Sequence, residues 1–366
     1  MQKNTKIIIL FIVMLISVAT YKMLNKPTES IIKIGALLPL TGDAAIYGEY
    51  TRNGMLVGIM QVNEMLKSQS ISVQVIFEDS KANPRDGVSA ARKLIDVDKV
   101  PVILDDSVSG VTLAVAPICD REKIVFLSTG ATSPLLSGIS EYFFRIWNSD
   151  LEEGKFSAEA AREKLDFERI AIIYINNEYG VGLKTVFADA FTSLGGEITA
   201  IEAFPQGATD FRAQLLNIRA NAPQAIYLVA YPQEAKILFQ QAHDLAVNTQ
   251  WIGTVVMLEE EMPNLLAQFS YTMYFPAPAV VDESSSAFIE FRQRYHNMFN
   301  GAPPVLADVG YDSVMLIGSA IADGAKSGTD IKDMLKNMKP RDMASGRIEF
   351  DEQGDVHKPM VLTKLP

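Results

Sequence analysis

The chain contains a single cysteine, Cys119, so no disulfide can form within it. That thiol falls on the apolar face of a helix pattern and reads as a buried, inert side chain. The three histidines, His243, His296 and His357, are scattered, and none stands at the spacing of a metal site. Lysine and arginine form no cluster: 33 of them face 44 acidic residues, for a net charge of −11. Nucleic-acid binding needs patches of positive charge to neutralise phosphates, so that class of partner is excluded. No glycine-rich run matches a phosphate-binding loop or a dinucleotide fingerprint. Ser109 lacks the flanking pattern of a nucleophile elbow, and no nucleophile–base pair is evident elsewhere. Internal repeats and low-complexity tracts are also absent. What is present is 48% apolar and 21% charged residues over 366 positions, the balance of a folded chain with full cores. The length suits two domains, or one α/β unit with two lobes.

The N-terminus stands apart. Lys3 and Lys6 precede an uninterrupted apolar run at 7–16, and the small residues Ser17 and Ala19 follow, which is the layout of a secretory signal. No cysteine follows the run, which excludes a lipoprotein anchor. The rival reading is an uncleaved anchor reaching Leu24. With Thr20, Tyr21 and Lys22 inside it, that stretch is short for a bilayer needing about 20 apolar residues. On either reading residues 1–30 are a signal or anchor plus linker, and the body is expected on the periplasmic or extracellular side, secreted or tethered.

Beyond the linker, buried-strand runs at 31–38, 71–77, 100–104, 124–127 and 142–146 alternate with helix patterns at 44–67, 83–97 and 111–121. Such alternation predicts parallel βαβ units. A seam at 147–154 precedes a second series: helix 151–165, strand 170–175, helix 181–194, strand 197–204, helix 210–220, strand 225–229, helix 232–245 and a short strand at 251–254. Residues 274–281 read as an extended, proline-containing crossing, followed by helices at 284–299 and 304–326 and then the segment 330–338. The last two strands, 346–350 and 359–363, read as a pair joined by the acidic turn at 351–355.

Open α/β sheets bind ligands beyond the C-terminal ends of their strands. Here those ends carry Thr41 and Gly42, Asp79 and Ser80, residues 107–110, 128–133 and 176–180, Tyr231, and residues 253–257. Hydroxyls, glycines and tyrosines dominate, and a site of that composition binds rather than catalyses. Two turns stand out, Ser107–Gly110 before an apolar helix and Ser128–Ser133 before Pro134. A strand leading into such a helix start presents free backbone N–H groups, hydroxyls and a positive dipole end, so two neighbouring ones suit an anionic group such as a carboxylate. Tyr47, Tyr179 and Tyr231 occur at or just after strand ends, which suggests an apolar pocket wall carrying hydroxyls. Glu152 and Glu153, after Ser149, fit a capping box at a helix start. The run Glu259, Glu260, Glu261 fits a solvated charge cluster rather than a cation site.

Eight segments in order carry a family resemblance: IKIGALLPLTGDAAIYGE, FEDSKANPRDGVSAARKLI, GVTLAVAPICDREKIVFLSTGATSPLL, FFRIWNSDLEEG, RIAIIYINNEYGVGL, AIYLVAYPQEAKILFQQA, VGYDSVMLIGSAI and GRIEFDEQGDV. Together they span residues 31–363 and resemble the type 1 periplasmic solute-binding proteins, in particular the leucine/isoleucine/valine-binding group that feeds ABC importers. The resemblance implies an α/β flytrap fold of two lobes, each a parallel-sheet βαβ sandwich. Lobe 1 would hold 31–149 and 278–352, and lobe 2 would hold 150–277 and 353–366. Three crossings would fall near 148–150, 276–279 and 351–358. It also implies a non-enzymatic, monomeric subunit without cofactor or metal. Such a subunit closes on a branched-chain or other apolar amino acid, or a related small carboxylate, and docks on importer permease subunits. A sensory ligand-binding domain tethered by its N-terminal helix is the alternative.

Residue by residue, the resemblance implies that Ser109 gives its hydroxyl and N–H to a ligand carboxylate. Thr132 would give its N–H to the carboxylate, with its hydroxyl and the Gly130 carbonyl accepting from an ammonium. Tyr47 would line the first lobe, Tyr179 and Tyr231 would close from the second, and Asp150 matches an acidic position near the ligand amine. One position departs: the family's ammonium-binding glutamate falls on Val255. Removing one partner of a buried charge pair costs about 2–5 kcal/mol. Amine recognition is therefore expected to weaken unless Asp150 or Glu259 compensates, and a carboxylate without an amine would lose nothing.

Overall fold

The structure, a computed structural model, describes residues 30–365 apart from 43, 106–107, 258–260 and 280–282. The expected signal or anchor, Ser107 and Glu259 lie outside the described residues. Among those described, no helix is long and apolar enough to cross a membrane.

Two βα series build two lobes, each on its own sheet. In the first, β1 (Ser30–Leu38), α1 (Ala45–Leu66), β2 (Ile71–Asp79), α2 (Pro84–Asp96), β3 (Val102–Asp105), α3 (Ser109–Glu122), β4 (Val125–Ser128) and β5 (Phe143–Arg145) follow one another. The strands are all parallel, in the order β2-β1-β3-β4-β5. Helices cover a parallel sheet on both faces, which is why β4 and the second half of β1 are continuously buried. Local chemistry sets the helix starts. Asn83 accepts the N–H groups of Arg85 and Asp86, with Pro84 in the first helical position.

The second series runs α4 (Asp150–Glu159), β6 (Arg169–Ile175), α5 (Glu178–Ser193), β7 (Glu197–Phe204), α6 (Arg212–Ala220), β8 (Ala225–Val229), α7 (Pro232–Asp244), β9 (Gln250–Ile252), α8 (Met262–Phe269) and β10 (Met273–Pro278). The chain then returns through α9 (Ser286–Phe299), α10 (Ala307–Ala322) and α11 (Gly328–Lys336). A short hairpin follows, β11 (Arg341–Met343) with β12 (Gly346–Ile348), before β13 (Met360–Leu365). The second sheet has the order β13-β10-β9-β8-β6-β7, parallel except where β13 meets β10.

The returning helices belong to the first lobe. Val309, Val314, Ile317 and Ile331 join its core, whereas the second core holds residues from Ala158 to Ala277. α10 lies directly on α1. A Cβ on Gly54 would stand 1.8 Å from the Ala307 carbonyl oxygen, and one on Gly310 would stand 2.2 Å from that of Thr51. Only glycine permits that backbone contact.

Three expectations need correction. The strands near 346–350 and 359–363 do not pair. β12 pairs with β11 and β13 with β10, because the acidic stretch between them runs from one sheet to the other. Residues 274–281, read as an extended, proline-containing crossing, open as a paired strand of the second sheet, where Pro276 and Pro278 keep the partners opposite them in β13. α5 begins at Glu178 rather than 181, because Asn177 caps it by accepting the Gly180 N–H, so Tyr179 sits in a helical first turn.

Candidate functional site

A cleft of about 630 Å³, its open mouth included, lies where the strand ends of the two lobes face each other. The first lobe contributes Tyr47, Gly130, Thr132, Val305 and Leu306, and the second contributes Tyr179, Tyr231, Val255 and Val256. Trp147 and Glu153, from the segment that leads out of β5 into α4, complete the wall. Six of the eight residues singled out in the sequence therefore meet in one place. The other two, Ser109 and Asp150, are buried behind the wall rather than in it.

The loop after β4 is held from below. The Ser128 hydroxyl accepts the Ala131 N–H at 3.1 Å, and the Ser109 hydroxyl accepts the Ser133 N–H at 3.1 Å. Ser109 thus supports the loop. Arg145, fully buried at the end of β5, donates to the carbonyls of Ala131 and Ser133, both at 3.2 Å. Its remaining donors hold the Asp355 carboxylate at 3.0 and 2.8 Å and the Ser137 hydroxyl at 3.0 Å. Thr132, between those two carbonyls, passes its own carbonyl to the Asp150 N–H at 2.8 Å. The clamp leaves Gly130 and Thr132 at the cleft surface.

Opposite, the rings of Tyr179 and Tyr231 stack with centroids 5.7 Å apart and planes 13° from parallel. The Tyr179 hydroxyl donates to Thr254 Oγ1 at 3.0 Å. Burial, reinforced by the charges of Glu153 and Asp150, pushes the Tyr179 phenol well above its ordinary value, so it stays neutral. With Val255, Val256, Val305 and Leu306 this makes an apolar half-site for a ligand body. Leu306 holds a left-handed φ of 69°, a conformation costly for a side chain of its size and found here at the mouth of α10.

Glu153 was missed. Glu152 and Glu153 do not form a capping box: Ser149 alone caps α4, accepting from Leu151 N–H, and Glu152 turns to His357 Nδ1. Glu153 is buried in the cleft wall, and its Oε1 accepts the Val255 N–H at 3.1 Å. The turn Val255–Met257 therefore presents a backbone donor to a carboxylate that comes from α4. Asp150, one turn earlier, is completely buried, and neither of its oxygens has a partner at hydrogen-bonding geometry among the described residues. Burial pushes both carboxyls up. For Asp150 the nearby Thr132 hydroxyl, short of hydrogen-bonding geometry, and the Arg145 charge oppose it. For Glu153 the Asp150 charge adds to it and the Val255 N–H opposes it. The one signal that could have found Glu153 is its i+3 spacing from Asp150, which sets both on one helix face. Trp147, Val305 and Leu306 carried no comparable signal. Among the described residues no group of side chains could hold a metal ion.

A two-lobed α/β protein with an apolar, hydroxyl-bearing cleft between the strand ends has the form of a receptor for a small solute. A family profile described as periplasmic binding protein matches residues 31–366, and the chain belongs to that family, whose members are solute-binding proteins and not enzymes. The Leu/Ile/Val-binding protein BraC3 of Rhizobium johnstonii is 30% identical over 230 residues, which is 61% of this chain and 60% of the relative. Among solved structures, the branched-chain amino acid transporter substrate-binding protein LivJ of Streptococcus pneumoniae, in complex with isoleucine, aligns with a TM-score of 0.82 and 26% identity. That alignment covers 91% of this chain and 95% of LivJ. The solute-binding protein of an ABC transporter from Rhodopseudomonas palustris, in complex with 3,4-dihydroxybenzoic acid, shares the fold with a TM-score of 0.78 at 21% identity, over 91% of this chain and 92% of that one.

Proposed function

We propose that the chain is the extracytoplasmic solute-binding subunit of an ABC importer, that it works as a monomer, and that it closes its two lobes on one small carboxylate with an apolar body. Residues 31–149 and 278–352 would move as one lobe, with 150–277 and 353–366 as the other. The observation that carries this reading is the clamped loop at Gly130 and Thr132 facing the stacked Tyr179–Tyr231 pair across an apolar cleft. Backbone N–H groups and the Thr132 hydroxyl would take the charged end of the ligand, and Tyr47, Tyr179, Tyr231 and Val255 its body. Ser109 would act by fixing Ser133, and Asp150 by its charge behind the wall. Contacts made by the second lobe only when ligand is present would favour the closed form, which a permease then recognises.

Valine at position 255 favours a second reading within this class, a carboxylate without an amine. A thermal-shift panel of leucine, isoleucine, valine, phenylalanine and their 2-keto acids tests both. Binding by at least one ligand of the panel, weakened by Thr132→Ala, supports the site. The expected loss is about 1.5–3 kcal/mol for a hydrogen bond to a charged group, or roughly ten- to a hundred-fold in affinity. A panel with no binder, or a T132A variant with undiminished affinity, would count against it.

A further inference from the structure

Asp150 and Glu153 stand one helical turn apart on α4, both buried and facing the same side. Among the described residues neither has a cation of its own. The Arg145 charge reaches Asp150, but all five of its N–H groups are spent on Asp355, Ser137 and the carbonyls of Ala131 and Ser133. Lys358 shares a small side cavity with Glu153 and Val255, yet its ammonium is committed to the carbonyl and hydroxyl of Ser345 and rests over the Trp147 ring. Among the described residues, the groups facing the pair from the second lobe are the neutral phenols of Tyr179 and Tyr227 and the Val255 N–H. Two adjacent buried carboxylates without a counter-ion are strongly disfavoured, so the empty pair retains a proton. Glu153 alone of the two reaches the cleft.

Resting on the reading of the cleft as a small-solute site, we infer that Glu153, backed by Asp150, receives the ammonium end of the ligand and so replaces the acidic side chain absent at position 255. The Val255 N–H fixes the rotamer of Glu153. The valine thus serves the amine site through its backbone while its side chain adds to the apolar wall. The ligand is accordingly an apolar amino acid rather than its amine-free analogue. Its ammonium takes the place of the proton held by the pair, and that proton leaves to the buffer.

The test uses the whole protein in isothermal titration at pH 7, in two buffers of different ionisation enthalpy. Leucine, valine and phenylalanine are each compared with the corresponding 2-keto acid. Tighter binding of an amino acid than of its keto acid is expected, with proton release for the amino acid alone. Glu153→Gln, neutral and of the same shape, is expected to cost the amino acid roughly thirty-fold or more, the low end for truncating one partner of a buried charge pair, and to leave the keto acid within a few-fold. Asp150→Asn provides a second variant and reduces proton release. Proton release by the wild type needs no variant to fold. Amino-acid affinity unchanged in E153Q, or proton uptake in place of release, overturns the inference. Keto acids bound in preference to amino acids overturn it as well and leave the carboxylate site standing. If none of the six ligands binds, the inference falls together with the reading of the cleft.

Discussion

Asn148 and Lys358, 210 residues apart, form a reciprocal pair: the Asn148 amide donates to the Lys358 carbonyl at 2.6 Å, and the Lys358 N–H donates back to Asn148 Oδ1 at 2.8 Å. Both are buried where the chain passes out of β5 and again into β13. One side chain thus ties two interlobe passages as a strand ladder would. Asn148→Ala leaves a buried N–H and C=O unpaired, each worth about 1–3 kcal/mol. A fall in the urea midpoint equivalent to about 2 kcal/mol or more is expected. An unchanged midpoint would mean that the two passages are held together elsewhere.

The lobes also meet where α5 approaches the loop after β4. A Cβ on Gly182 of α5 would stand 2.7 Å from Cδ of Pro134, just beyond the clamped loop of the first lobe. Inside a helix, glycine to alanine is favourable by about 1 kcal/mol. Against the stiff proline ring the added methyl overpacks, at a cost of about 1–3 kcal/mol. Gly182→Ala therefore has opposite signs in two measurements. The melting temperature without ligand stays level or rises, while affinity for whichever ligand of the panel binds falls by roughly five-fold or more. Equal affinity in calorimetry would show that this contact is not part of the closed, liganded form.

How far these relationships were legible depends on the range of the forces that set them. The strand-to-turn signals at 107–110 and 128–133 are local, and Gly130 and Thr132 do reach the cleft. Ser109 shows the limit of such signals: its hydroxyl type suits a ligand, but its position behind Ser133 turns it to the loop. Glu153 shows the limit more sharply. An acidic residue in a helix first turn is ordinarily explained by capping, and only the Val255 N–H, 102 residues on, makes it a cleft residue. The terminal strands failed for the same reason. Each has strand character, but pairing is decided by which sheet edge is open, and β10 offers its edge to β13.

Arg145 and Asp355 join the floor of the binding loop to the segment between β12 and β13 through two buried bonds of 3.0 and 2.8 Å. Arg145→Met removes all five donors and leaves the Asp355 carboxylate buried without its cation. A destabilisation of about 3–5 kcal/mol is expected, as for breaking a buried pair. The double variant Arg145→Met with Asp355→Leu separates two roles. Removing both charges recovers part of the stability in denaturant unfolding. The carbonyls of Ala131 and Ser133 still lack their donor, so ligand affinity stays low. Affinity recovering in step with stability would show that the arginine does nothing specific for the loop.

His357 lies between two carboxylates, Glu152 on α4 at Nδ1 and Asp351 at Nε2, the latter 3.0 Å away. Those two acids raise the imidazole above its ordinary value despite partial burial. A group whose folded value is raised binds its proton more tightly in the native state than in the unfolded chain. Its contribution is complete below about pH 6.5, the unfolded value, and is lost as pH rises through the higher folded one. His357→Gln keeps a hydrogen-bonding side chain but cannot titrate. The melting temperature of the wild type relative to H357Q is therefore expected to be highest near pH 5.5 and to decline toward pH 8.5. The buried carboxyls, including Asp312, which burial pushes up to about 6, titrate in both proteins and cancel in the difference. The imidazolium bridges α4 to the segment before β13. A difference constant across that pH range would show that the two ion pairs contribute nothing to folding.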